Sequence, residues 1–243
     1  MCIRDIIQNP GEEEAALKAT FMQPGGVNTE RSYSVLPHSR FTIHVDNILP
    51  AAEVSTLIES NQPVVAERAV YFNGGLAGHD TVGANFPSQE WYLAEGYTGG
   101  DFDEWVLIQN PGDTEAALNV QFQTQDQGVV MSEYTLAPRS RFTIHVDNIL
   151  ADAQVSTYLS SNQPVVVERA QYLNSMRSGS CSIGARSPSY TWFFAEGYTA
   201  GGFEEWRLVQ NPQDSSTQVD LTFMELDGTN TSMHIDVPAR SRY

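Results

Sequence analysis

Apolar and polar residues alternate with a period of two along much of this chain. Over residues 117–124, Leu118, Val120 and Phe122 are interleaved with Asn119, Gln121 and Gln123, which predicts a strand with one buried and one wet face. An Asp126, Gln127, Gly128 turn leads into a second run over residues 129–136, and Pro138 with Ser140 separates that run from a third beginning at Arg141. In the third, Phe142, Ile144 and Val146 point one way while Thr143, His145 and Asp147 point the other. Further runs lie at residues 91–95, 105–109, 155–160 and 165–173, the second closed by the turn Asn110, Pro111, Gly112, Asp113. Residues 148–154 offer the one short helical turn. About seven short strands in roughly 100 residues, with frequent turn signals, is the profile of an all-β immunoglobulin-like or fibronectin-like β-sandwich.

The pattern recurs. IIQNPG starts at Ile6, LIQNPG at Leu107 and LVQNP at Leu208, a constant step of 101 residues. SRFTIHVDNIL begins at Ser39 and again at Ser140, and SRY begins at Ser241. SNQPVV with a following ERA starts at Ser60 and Ser161, and WYLAEGYT at Trp91 answers WFFAEGYT at Trp192. A step this long exceeds the 20 to 50 residues of solenoid repeats, so it marks whole domains in tandem. The expected organisation is a leader of residues 1–5, a first unit lacking its start (6–89), a complete unit (90–190) and a third unit cut short (191–243). The leader is set apart because MCIRD resembles the translated end of a transposon used in preparing sequencing libraries, and because Asp5 falls where the next copy has the strand residue Val106.

Composition narrows the function classes. Hydrophobic residues make up 41% of the chain and charged ones 18%, enough apolar material for packed cores. Thirty acidic against 13 basic residues leave a net charge of -17, which opposes binding to nucleic acid or an anionic membrane and leaves cations and basic partners open. No apolar run approaches the roughly 20 residues needed to insert into a bilayer. With Cys2 in the leader, Cys181 is alone and cannot staple its own domain.

Several residue groups carry candidate chemistry, each with a plainer structural reading beside it. His44 with Asp46, and His145 with Asp147, sit two apart on a strand and share a face, as two ligands of a metal site would, or as a solvated polar face would. Asp101, Asp103 and Glu104 lie in a Gly-rich loop that suits Ca2+ in kind, although Ca2+ needs six to eight oxygens and no regular calcium-loop motif is present. Trp91, Tyr97, Phe102 and Trp105 cluster in sequence and suit either a sugar-stacking platform or a sandwich core. Glu67–Arg68 and Glu168–Arg169 lie in the most apolar strand of each copy, where one charge of each pair must approach the core. An unpaired buried charge is costly, so Glu67 is expected to pair with Arg40, and Glu168 with Arg141. Cys181 reads as a substituent in a Gly/Ser loop, and no nucleophile elbow is present.

The motif Trp-x-x-Ala-Glu-Gly-x-Thr, the QNP turn, the Ser-Arg strand, and the Glu-Arg-Ala-x-Tyr strand followed by Gly-His-Asp-x-x-Gly occur in that order. Together they resemble an uncharacterised family of repeated domains in large secreted or surface proteins of actinobacteria and related bacteria. The resemblance spans nearly the whole chain from Ile6, and it departs at Ser180 and Cys181, which replace His79 and Asp80. It implies a β-sandwich fold and an extracellular or cell-surface location, with no activity or cofactor to carry over. The expected role is a structural spacer or adhesive stalk without catalytic activity. Its partners would be the neighbouring repeats and a cell-surface glycan or protein; the alternative is a module binding glycan or calcium around Trp91 to Trp105.

Overall fold

Strands occupy the alternating runs in the computed structural model, which describes residues 2–243. The first copy forms β1 (Cys2–Asn9), β2 (Ala15–Met22), β3 (Asn28–Val35), β4 (Ser39–His44), β5 (Ser55–Ser60), β6 (Val65–Phe72) and β7 (Ala77–Val82). The second forms β8 (Ser88–Leu93), β9 (Phe102–Asn110), β10 (Ala116–Thr124), β11 (Val129–Leu136), β12 (Ser140–His145), β13 (Val155–Leu173) and β14 (Ser178–Ile183). Residues from the third add β15 (Gln210–Asn211), β16 (Thr217–Met224), β17 (Asn230–Val237) and β18 (Ser241–Arg242). The fold is all-β and of the sandwich type, the helical segments among the described residues being short 3-10 turns such as Val146–Asn148. Among the described residues no helix is long and apolar enough to cross a membrane.

In the first copy a sheet of order β4-β1-β6-β7 lies over one of order β3-β2-β5. Ile7 and Ile43 of the first sheet meet Leu17, Ala19 and Phe21 of the second in one core. In the second copy β13 runs through both layers. Its first half pairs with β10 and β8, its second half with β9 and β14, and the register shifts between Ser160 and Val165 where it crosses. Val106, Ile108, Ile144 and Val167 then face Leu118, Val120, Phe122 and Leu159. Trp91 and Leu93 of β8 belong to that same core, with the Trp91 indole N–H donating to the Val165 carbonyl at 2.8 Å.

Residues 2–5 continue β1, paired with both β4 and β6. Asp5 is buried at 3% exposure and accepts a hydrogen bond from the Thr56 hydroxyl at 2.7 Å; burial pushes its carboxyl up to about 6. Cys181 lies in β14 rather than in a loop, paired with Ala170 of β13.

The QNP turn has a stronger physical basis than its turn residues alone suggest. Asn110 is fully buried, and its Nδ2 donates to the carbonyls of Thr114 (2.8 Å), Leu136 (3.3 Å) and Ala137 (3.1 Å) while its Oδ1 accepts the Gly112 N–H (3.0 Å). Asn9 and Asn211 repeat this set on Glu13, Val35 and Leu36, and on Ser215, Val237 and Pro238. Each asparagine thus clamps its own turn to the connection that precedes the Ser-Arg strand. In that connection His38, Arg139 and Arg240 all take left-handed backbone, with φ of 51, 47 and 47°.

Candidate functional site

The strand register brings three of the second copy's five candidate metal ligands together. His145 of β12 stands opposite Trp105 of β9, so Asp103, two residues before Trp105, shares the outer face of the sheet with it. Asp147 follows in the 3-10 turn and folds back onto the same spot. The His145 Nε2 atom lies 3.5 Å from Asp103 Oδ1 and 3.4 Å from Asp147 Oδ2. The imidazole is stacked on the Trp105 ring with centroids 3.9 Å apart and planes within 4°. Asp147 Oδ2 also accepts the Glu104 N–H at 2.8 Å, as Asp46 Oδ2 accepts the Ile3 N–H at 2.7 Å in the first copy. Asp147 is therefore anchored by a strand-pinning contact common to both copies, to which the second copy adds Asp103 and Trp105.

The other two candidate ligands fall elsewhere. Asp101 is exposed, outside the cluster. Glu104 points to the opposite face of β9 and into the interior, because adjacent strand residues alternate sides. It is fully buried, neither carboxylate oxygen has a hydrogen-bond partner, and burial pushes its carboxyl up to about 8 against the pull of Arg169. Gly96 makes room for it: a Cβ on Gly96 would collide with the Glu104 carboxylate, and one on Gly197 would lie 2.7 Å from Glu205 Oε2 in the third copy. The Glu-Gly of WxxAEG and the Glu that follows eight or nine residues later are thus one packing unit. Glu95 of the same motif pairs with Arg169 at 2.5 Å.

The aromatic candidates divide. Trp91 is 1% exposed and structural. Tyr97 and Phe102 pack edge to face with centroids 5.2 Å apart, and one face of Trp105 is taken by His145. In the third copy no strand among the described residues plays the part of β13, and Trp192 and Trp206 are 57% and 72% exposed.

The expected ion pairs Glu67–Arg40 and Glu168–Arg141 do not form. Glu67 and Arg40 are exposed, and the Arg40 guanidinium donates to the Thr42 hydroxyl at 3.2 Å. Arg141 lies on the outer face beside Gln109, while Glu168 lies on that face beyond β9, beside Leu107. Both reach across to the first copy instead. Arg141 pairs with Glu53, and Glu168 with Arg68 at 2.8 Å. The charges directed inward in the apolar strands are the arginines, Arg68 and Arg169, not the glutamates. Cys181 Sγ sits 3.2 Å from the Arg68 guanidinium, and burial, reinforced by Glu168, pushes the thiol up to about 12.

These cross-copy contacts form a junction that sequence reasoning missed. Gln109 Nε2 donates to Met22 Sδ at 3.6 Å, and Gln210 Nε2 donates to Gln123 Oε1 at 3.1 Å. Arg141 contacts Glu53, and Arg242 Nη1 donates to Gln154 Oε1 at 3.2 Å. Every partner in the second pair of contacts stands 101 residues after its counterpart in the first. The first junction is further filled by Tyr172, whose ring meets Phe72 edge-on at 5.2 Å and whose hydroxyl lies 3.2 Å from His79 Nε2. The signal available in sequence was the retention of Gln in QNP and Arg in the Ser-Arg strand in every copy, two polar residues on a face that their own unit does not bury.

No protein-family model and no curated protein matches the chain. Among solved structures, the crystal structure of Thermotoga maritima 1070 is 22% identical over 43% of this chain and 97% of its own, with a TM-score of 0.40. The Anabaena sensory rhodopsin transducer is 24% identical over 36% of this chain and 99% of its own, with a TM-score of 0.32.

Proposed function

We propose that this chain is a segment of an extracellular or cell-surface spacer, a stalk of tandem immunoglobulin- or fibronectin-like β-sandwich units (6–89, 90–190 and 191 onward) without catalytic activity of its own. The observation that carries this reading is the recurrence of the junction. Gln109 and Arg141 hold the second copy to the first through the same positions by which Gln210 and Arg242 hold the third to the second. A contact between different surfaces of successive units is head-to-tail, the kind that extends into an open array when its rotation does not close on itself, and it opposes the independent tumbling expected of domains joined by a small or absent interface. Repetition extends reach and multiplies weak contacts with a surface partner.

Backbone 15N relaxation tests the reading. In the intact chain the first and second copies should tumble as one anisotropic body, and a Gln109→Ala, Arg141→Ala, Glu168→Ala, Tyr172→Ala variant, which removes the polar, ionic and aromatic contacts together, should release them. Independent tumbling of the two copies in the unsubstituted chain would overturn it. The alternative of a glycan-binding platform at Trp91 to Trp105 has less support, since Trp91 is core and His145 covers Trp105. Calcium has little there either, because the acids Asp101, Asp103 and Glu104 do not converge. Glycan-array binding lost on Trp105→Ala with the fold intact would favour the glycan reading.

A further inference from the structure

We propose that Asp103, His145 and Asp147 bind one divalent cation of the zinc class. His145 Nε2 is sealed from solvent yet has no hydrogen-bond partner, and a buried polar atom left unpartnered is costly. The two carboxylate oxygens beside it, at 3.5 and 3.4 Å, lie beyond the roughly 2.7–3.2 Å of an ordinary N–H···O bond. Those separations match an edge of a coordination tetrahedron, since bonds of about 2.0–2.2 Å to nitrogen and oxygen place neighbouring ligand atoms roughly 3.3–3.5 Å apart. All three ligand atoms fall within 4.8 Å of one another. A cation among them would satisfy the nitrogen and neutralise the two carboxylates together.

Two contacts around the cluster hold its ligands in place. Stacking on Trp105 fixes the imidazole plane, and the Glu104 N–H fixes the Asp147 carboxylate. Such outer contacts hold ligands in place for a metal. One nitrogen and two oxygens suit zinc, cobalt or nickel; calcium would require six to eight oxygens. Three protein ligands leave a coordination position to water or to a ligand from outside, and Asp103 is reachable, its side chain being 46% exposed. The chain's net charge of -17 favours cation capture.

The first copy serves as an internal control. It keeps His44 and Asp46, but Cys2 stands in place of Asp103 and Arg4 in place of Trp105, with the Arg4 guanidinium over the Tyr71 ring at 5.3 Å. Among the described residues no second cluster of this kind forms. The expected stoichiometry is therefore one ion per chain.

Cobalt(II) titration of the chelator-stripped chain, followed by visible absorption and by competition with zinc, tests this. The expected result is one equivalent of cobalt with d–d bands, no thiolate charge-transfer band of the kind Cys2 or Cys181 would give, and displacement by zinc. His145→Ala and Asp103→Asn should each weaken binding at least tenfold, and His44→Ala should leave it unchanged. If His145→Ala fails to fold, the conservative Asp103→Asn decides alone. Absence of saturable binding, a thiolate band, or binding that survives Asp103→Asn would overturn the proposal.

Discussion

Replacing Asn110 offers the sharpest check on the physical account of the fold, because one side chain answers for several buried groups. Its amide holds three carbonyls and one backbone N–H. With only two N–H hydrogens for three carbonyls, one hydrogen is shared, so the set amounts to about three bonds. A buried hydrogen bond contributes about 1 kcal/mol net, and a partner left unsatisfied costs about 1–3 kcal/mol. Asn110→Ala should therefore cost about 3–5 kcal/mol, a large part of the 5–15 kcal/mol that stabilises a typical domain. At about 4–8 °C per kcal/mol for a unit of this size, differential scanning calorimetry should show one transition moved down by more than about 12 °C, with the rest of the trace in place. Asn110→Asp should be worse near neutral pH. It keeps the acceptor for Gly112 but turns a second oxygen toward three carbonyls, and it should recover in part in acid, where the protonated carboxyl can donate. A shift below about 4 °C for Asn110→Ala, or an Asn110→Asp variant as stable as the parent near neutral pH, would refute the clamp.

Other perturbations follow from the same geometry. Because burial raises Glu104 to about 8, the folded chain binds more protons than the unfolded one between the ordinary carboxyl range and pH 8, and its stability falls as pH rises through that window. Glu104→Gln should remove this slope and raise Tm more at pH 8 than at pH 5; an unchanged slope in calorimetry at both values would refute the assignment. Trp91→Ala should cost about 3–5 kcal/mol, whereas Trp192→Ala, at a position left exposed, should cost less than about 0.5 kcal/mol; similar losses by urea titration would contradict the burial difference. Gly96→Ala should destabilise through collision with Glu104, and Glu104→Ala should relieve it, so a double-mutant cycle without coupling would show that the two do not pack together.

Much of the fold was legible because burial on a pleated strand is local and alternates with the sequence. Leu118, Val120 and Phe122 declare their face within a few residues, and β10 forms there. The 101-residue step was equally plain, and so was the pairing of His145 with Asp147 on one side. What stayed hidden depended on partners distant in sequence. β14 carries a Gly/Ser-rich sequence with little apolar signal and is held by its neighbour β13. Glu104 was a plausible ligand by composition, yet the parity of β9 turned it inward.

The sequence by itself determined that strands form, where they turn, and that the pattern is written more than once, since those are consequences of short-range patterning and backbone preference. Only the tertiary structure decided where the charges go. Arg141 and Glu168 find Glu53 and Arg68 of the preceding copy because their shared face is turned to the junction and away from their own core. The convergence of Asp103 on His145 and Asp147 likewise needed the antiparallel register of β9 and β12, which hydrogen bonds between strands about 40 residues apart set and no local pattern records.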